Sequence, residues 1–178
     1  MMESRLIDQI AIRPFVDADA AHVRELFIRV NELLAPPHLK EDFERYIARS
    51  LEEEIDQVAD YYGKRGGGFW VAVEGSRIVG MFGLESSSIP GSMELRRMYV
   101  VADARRRGIA RKMLAFAEAE CRRRNVARIE LSTSELQTEA LALYRRSGYH
   151  EVREEVALNA SNKTIGGGIR RFHFTKTL

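Results

Sequence analysis

The stretch Arg105-Arg106-Arg107-Gly108-Ile109-Ala110-Arg111-Lys112 crowds cations around one glycine. Three kinds of chemistry use such a stretch: a polyanion patch, a solvated charge run, or a loop that opens a helix onto a phosphate. The first N–H groups of a helix lack partners within it and lie at the positive end of the helix dipole. A strand that turns through a glycine into a helix therefore presents a pyrophosphate site. Gly108 removes a side chain where phosphates must approach, and Ala110 keeps the first turn narrow. The arginines can add charge-assisted contacts to phosphate oxygens. The stretch matches neither G-x-x-x-x-G-K-[ST] nor G-x-G-x-x-G.

The elements that would position this loop are legible in hydrophobic period and turn residues. Residues 8–13 read as a strand. Asp17 or Asp19 can cap a helix running to about Asn31, with Val23, Leu26, Phe27 and Val30 on one face, and the turn at 35–38 (APPH) stops it. A second helical pattern runs from about Glu41 to Tyr62. After the Gly-rich break at 63–68, strands at 69–74 and 77–85 flank Gly75-Ser76, a hairpin signal. A strand at 93–101 leads through the arginine loop into a helix at 109–124, with Ile109, Met113, Phe116, Ala117 and Cys121 on its apolar stripe. A strand at 127–133, a helix at 138–148 and strands at 150–158 and 169–177 complete the chain, the last two joined by a polar loop at 159–168. The unit 93–101, 109–124, 127–133 is long enough for a right-handed parallel crossover. The expectation is one α/β (α+β) domain over 1–178 with a mixed central sheet of about seven strands and about four helices.

The flanking residues then resemble a known family. Arg105-x-x-Gly108-x-Ala110 is similar to the Q/R-x-x-G-x-G/A signature of the GNAT superfamily of N-acetyltransferases. Upstream, Leu95-Arg96-Arg97-Met98-Tyr99-Val100 resembles that family's fourth strand. Downstream, Gln137-x-x-Ala140-x-x-x-Tyr144-x-x-x-Gly148-Tyr149 resembles its N-x-x-A-x-x-L-Y-x-x-x-G-F segment, with Gln for Asn and Tyr for Phe. The resemblance is clear over about residues 69–150. It implies acetyl-CoA as co-substrate and splayed parallel strands 4 and 5, with the thioester in the gap between them. Backbone groups of Met98, Tyr99 and Val100 would bond the pantetheine arm, and N–H groups from Arg106 to Arg111, Ile109 among them, would hold the pyrophosphate. Gln137 takes the position of a cofactor-contacting amide, and Tyr144 that of a tyrosine near the CoA sulfur.

Amine attack on a thioester needs a neutral amine, donors for the oxyanion and a proton for the leaving thiolate. Glu94 and Glu130 are the carboxylates proposed for the base, with a base reached through water as the third choice; Glu94 otherwise reads as a solvent-facing strand end. Tyr144 is the acid, or else a core tyrosine. The acceptor expected is a small-molecule or peptide amine. The alternative function is a non-catalytic acyl-CoA-binding module. Residues 41–60 hold eight acids and two bases, a net of −6 in a chain of net +2. Such a stretch either walls the acceptor site, attracting a cationic amine, or is the wet face of a long helix. Net charge this small does not argue for nucleic acid, and four scattered histidines with one cysteine show no metal-ligand spacing. The lone Cys121 suits a reducing compartment, and with no signal peptide or membrane span evident the expected location is cytoplasmic. A homodimer stays open, since the family often pairs.

Overall fold

Apolar alternation in the second strand shows how the sheet divides the molecule. In the computed structural model, which describes residues 9–178, strand β2 (Gly68–Glu74) sends Phe69, Val71 and Val73 to one face and Trp70 and Ala72 to the other. Both faces are buried, as expected of a sheet covered on two sides. Seven strands form one sheet in the order β1-β2-β3-β4-β5-β7-β6. The others are β1 (Ile10–Pro14), β3 (Arg77–Ser86), β4 (Ser92–Val100), β5 (Arg128–Ser134), β6 (His150–Ala157) and β7 (Ile169–Thr177). All neighbours are antiparallel except β4 and β5. Pro14 belongs to β1 rather than ending it, and the part of that expected strand at residue 8 lies outside the described residues.

Three helices cover one face: α1 (Ala20–Leu34), α2 (Lys40–Glu53) and α3 (Val58–Gly63). Two cover the other: α4 (Ile109–Arg123) and α5 (Thr138–Arg146). The expected stripe of α4 is confirmed, with Ile109, Met113, Ala117 and Cys121 nearly inaccessible and Phe116 packed beside Trp70. Two expectations need correction. The pattern 41–62 is not one helix: it breaks at Glu54 (φ −141°, ψ −61°) into α2 and α3. The apolar spacing survives the break, but Glu54 turns inward and is wholly buried. Asp19 precedes α1 without capping it. Its carboxylate accepts two bonds from Arg13, at 2.7 and 2.9 Å, and one from the Val16 N–H at 2.9 Å.

Two irregularities in β4 open the centre of the sheet. Arg97 and Met98 together oppose the single residue Phe82 of β3, and Arg97 takes φ +57°, a β-bulge. β4 and β5 separate before the bulge is reached: they pair only over residues 92–94 and 128–130, after which β5 pairs with β7 alone. A bulge increases local twist and re-aims the strand. The edge of β4 over residues 95–100 thus faces β5 with no ladder partner among the described residues.

Candidate active site

The wedge between β4 and β5 joins two cavities. The larger, about 840 Å³, is lined by Met98, Tyr99 and Val100 of β4, by residues 105–111 except Arg107, and by residues 136–140 at the start of α5. Its floor is the opening of α4. Arg106 (φ +60°) and Gly108 (φ +78°) both adopt left-handed backbone, so the chain turns twice before the helix. Such alternation gathers successive N–H groups into an anion-binding concavity. The first helical bond here is from the Lys112 N–H to the Gly108 carbonyl at 3.0 Å, so the N–H groups before it are not used by the helix.

The structure separates the three arginines by task. Arg105 lines the cavity and reaches the Val100 carbonyl at 3.5 Å. Arg106 is the most exposed, 3.7 Å from Glu139. Arg107 does not line the cavity: its guanidinium is tied to Glu74 at 2.5 and 3.3 Å, which fastens the loop to the end of β2. Gln137 lines the cavity, but its Oε1 is taken by the Thr133 hydroxyl at 2.8 Å.

The second cavity, about 70 Å³, meets the first at Met98, Tyr99 and Gln137. Tyr144 and Glu94 both line it, so the two expected catalytic residues share one space. Tyr144 is buried and its phenol is raised above its ordinary value, by burial first and by Tyr99 next. Burial likewise pushes the Tyr99 phenol up to about 12. Glu94 sits near the paired end of β4, with Lys163 Nζ at 2.7 Å. Met98 lies four positions farther along the strand, at most about 13 Å of extended chain. Glu130, in register with Glu94, accepts a bond from the Ser87 hydroxyl and lines neither cavity.

Beneath this cavity lies a buried charge network that sequence reading misses. Glu54 is inaccessible and holds Arg97 at 2.7 Å and Arg96 at 2.8 Å, while the Tyr62 hydroxyl donates to it at 2.9 Å. Burial by itself would raise the Glu54 carboxyl; Arg97 and Arg96 outweigh it and hold it below its ordinary value. Arg97 also donates to the Tyr46 hydroxyl and to the Asn162 carbonyl, both at 2.5 Å, so loop 159–168 closes over it. The one sequence signal is the pair Arg96-Arg97 inside a strand pattern, where charge is expensive unless paired.

The acidic stretch 41–60 does not wall the cavity. Only Tyr46 of that stretch lines it, Glu54 is spent on arginines, and Asp42, Asp56 and Asp60 pair with Arg45, Arg24 and Lys64 at exposed positions. The cavity wall instead carries Arg96, Arg97, Lys163 and Arg171, with Glu94 as its one carboxylate. Among the described residues no group of three or more His, Cys, Asp or Glu could hold a metal ion, and no helix is long and apolar enough to cross a membrane.

Comparison with known proteins fits this geometry. In sequence, the chain is 27% identical over 137 residues to the N-acetyltransferase family 8 member 2 of Rattus norvegicus, covering 75% of this chain and 59% of that protein. It is 32% identical over 108 residues to the N-acetylaspartate synthetase of Xenopus tropicalis, covering 58% and 38%. The matched region thus spans less than two thirds of these relatives' own length. In fold, it resembles a GNAT-family acetyltransferase from Staphylococcus aureus Mu50 (TM-score 0.73, 20% identity, 94% and 98% of the two chains). It also resembles the PaiA N-acetyltransferase of Thermoplasma acidophilum, solved in complex with coenzyme A (TM-score 0.70, 17% identity, 95% and 99%). The acetyltransferase (GNAT) family pattern matches residues 28–149, which include the wedge, the arginine loop and Tyr144, and the chain belongs to that family of acyltransferases.

Proposed function

We propose that this protein moves an acetyl group from acetyl-CoA to a primary amine, by direct attack in a ternary complex. The observation that carries the reading is the junction of an anion-binding cavity with a small polar one in the wedge between β4 and β5. The residues suit CoA. The turn at Arg106 and Gly108 offers N–H groups to a pyrophosphate, and the unpaired edge of β4 can take an extended arm as an added strand. Acetyl-CoA supplies the activated acyl group; the chain's own residues do the rest.

A β4 backbone N–H near Val100 is the donor assigned to the oxygen that gains charge during attack. The Tyr144 phenol carries its proton at neutral pH, as an ordinary phenol does, and burial raises it further. It can therefore donate a hydrogen bond to the departing sulfur and relay a proton there as the amine gives up its own. The amine proton leaves through water in the polar cavity, with Glu94 as the carboxylate at its far end. A direct role for Glu94 as base is disfavoured by its distance along the strand and its pairing with Lys163.

The test is release of free CoA thiol across a broad panel of amines. Wild type should turn over at least one. Tyr144→Phe should lower kcat by about 100-fold or more with CoA affinity unchanged. Tight CoA binding with no turnover on any amine would leave an acyl-CoA-binding module in its place.

A further inference from the structure

The charges around the polar cavity pair off with one exception. Arg96 lies 2.8 Å from Glu54 and 3.6 Å from Glu85, Arg97 lies 2.7 Å from Glu54, and Lys163 lies 2.7 Å from Glu94 and 3.4 Å from Glu85. Arg171, on β7, has no carboxylate within 4.0 Å among the described residues. Among the described residues its one side-chain bond is from Nη2 to the Ser132 hydroxyl at 2.9 Å. A guanidinium carries five donors in a rigid fork that suits a carboxylate bidentately. Burial pushes Arg171 below its ordinary value; Glu155, its register partner on β6, attracts it without contact, being itself tied to Arg153 and His173.

Arg171 lines the polar cavity and not the one beneath the arginine loop, so CoA phosphates bound at that loop would not be its partner. A cationic acceptor without an anionic group would meet Arg171 with no carboxylate in contact to offset it, while the other three cations on the wall are already paired. The cavity is also small. At about 70 Å³, against the roughly 10–15 Å³ that one water needs, it has room for a few waters or the head of a small amino acid.

We infer that the acceptor is a small amine bearing a free carboxylate, an amino acid in the simplest case, whose carboxylate is held by Arg171 while its nitrogen faces the wedge at Met98 and Tyr99. This rests on the acetyl-transfer reading for the fate of the nitrogen, but the carboxylate pocket can be tested by itself. With the protein saturated in CoA, calorimetric binding of the standard L-amino acids is compared with that of their carboxamides and of spermidine. At least one acid should bind about tenfold or more tighter than its amide, and tighter than spermidine. Arg171→Gln should erase that preference, Arg171→Lys should recover part of it, and CoA affinity should not change. The wild-type acid-to-amide ratio decides the matter even if a variant does not fold. Equal binding of acids and amides, preference for spermidine, or an acid preference that survives Arg171→Gln overturns the assignment. Thiol release is read in parallel: selective acid binding without turnover on any amine removes the acetyl-transfer reading and leaves the pocket standing.

Discussion

Gly108 and Arg106 occupy left-handed backbone on either side of Arg107, yet they differ in what a substitution removes. A valine at Gly108 would force a β-branched residue to φ +78° and place methyl groups at the cavity floor. An alanine at Arg106 keeps the backbone accessible and removes a guanidinium that is 88% exposed. Exposed charges contribute little and are screened by salt. Gly108→Val should therefore weaken CoA binding by about tenfold or more, and Arg106→Ala by less than about threefold, by calorimetry at physiological salt. The reverse order would return the binding energy to the arginines. The residue types of this loop are visible in the sequence because a glycine between a strand and a helix has few other uses. The fate of Arg107 is not, because its partner Glu74 lies 33 residues away and only the closed sheet brings them together. Arg171 is invisible for the same reason: alternation in β7 marks it as a strand residue and says nothing of the missing carboxylate.

Among the elements, strand and helix positions follow from hydrophobic period, which is why the hairpin, the α4 stripe and the last two strands emerge with nearly their expected bounds. The break between α2 and α3 is hidden because Leu51, Ile55, Val58 and Tyr62 keep helical spacing across it and all remain buried. What the break achieves is to bring Glu54 to Arg97 and to lay Tyr62 flat against β3. Gly83 makes that approach possible: a Cβ there would lie 2.5 Å from ring carbons of Tyr62. Tyr62 cannot swing aside, since it is 1% exposed and its hydroxyl is bonded to Glu54. Gly83→Ala should therefore destabilise the protein by about 1–3 kcal/mol through overpacking, measured by urea unfolding. An unchanged midpoint would show that α3 moves freely over the sheet. The splay of β4 from β5 has no signature in apolar period at all. Family resemblance alone predicts it, and the bulge at Arg97 falls within the stretch of β4 that has already left β5.

At the scale of the molecule, Glu54 ties together parts distant in the chain: α2 and α3 through its own backbone, β4 through Arg96 and Arg97, and loop 159–168 through the Asn162 carbonyl that Arg97 also holds. A buried carboxylate between two guanidiniums is costly to break, about 3–5 kcal/mol when one partner is removed. Glu54→Gln should lose about that much stability at neutral pH. The direction of its pH dependence comes from the depressed Glu54 carboxyl. Its contribution is complete above the ordinary value of 4.5 and fades as pH falls through the lower value it has in the folded protein. Wild type then protonates toward the state that the glutamine mimics. Urea unfolding of both proteins from about pH 7 down to about pH 3 should show a gap that is constant above 4.5 and narrows below it. Asp19 is also held below its ordinary range, by Arg13 first, but it is intact in both proteins and cancels in the difference. A gap that stays constant through the acid range would mean that the arginines are stabilised by neutral donors and acceptors such as Tyr46 and Asn162. In that case Glu54 would serve to shape the chain between α2 and α3 rather than to balance charge under the polar cavity.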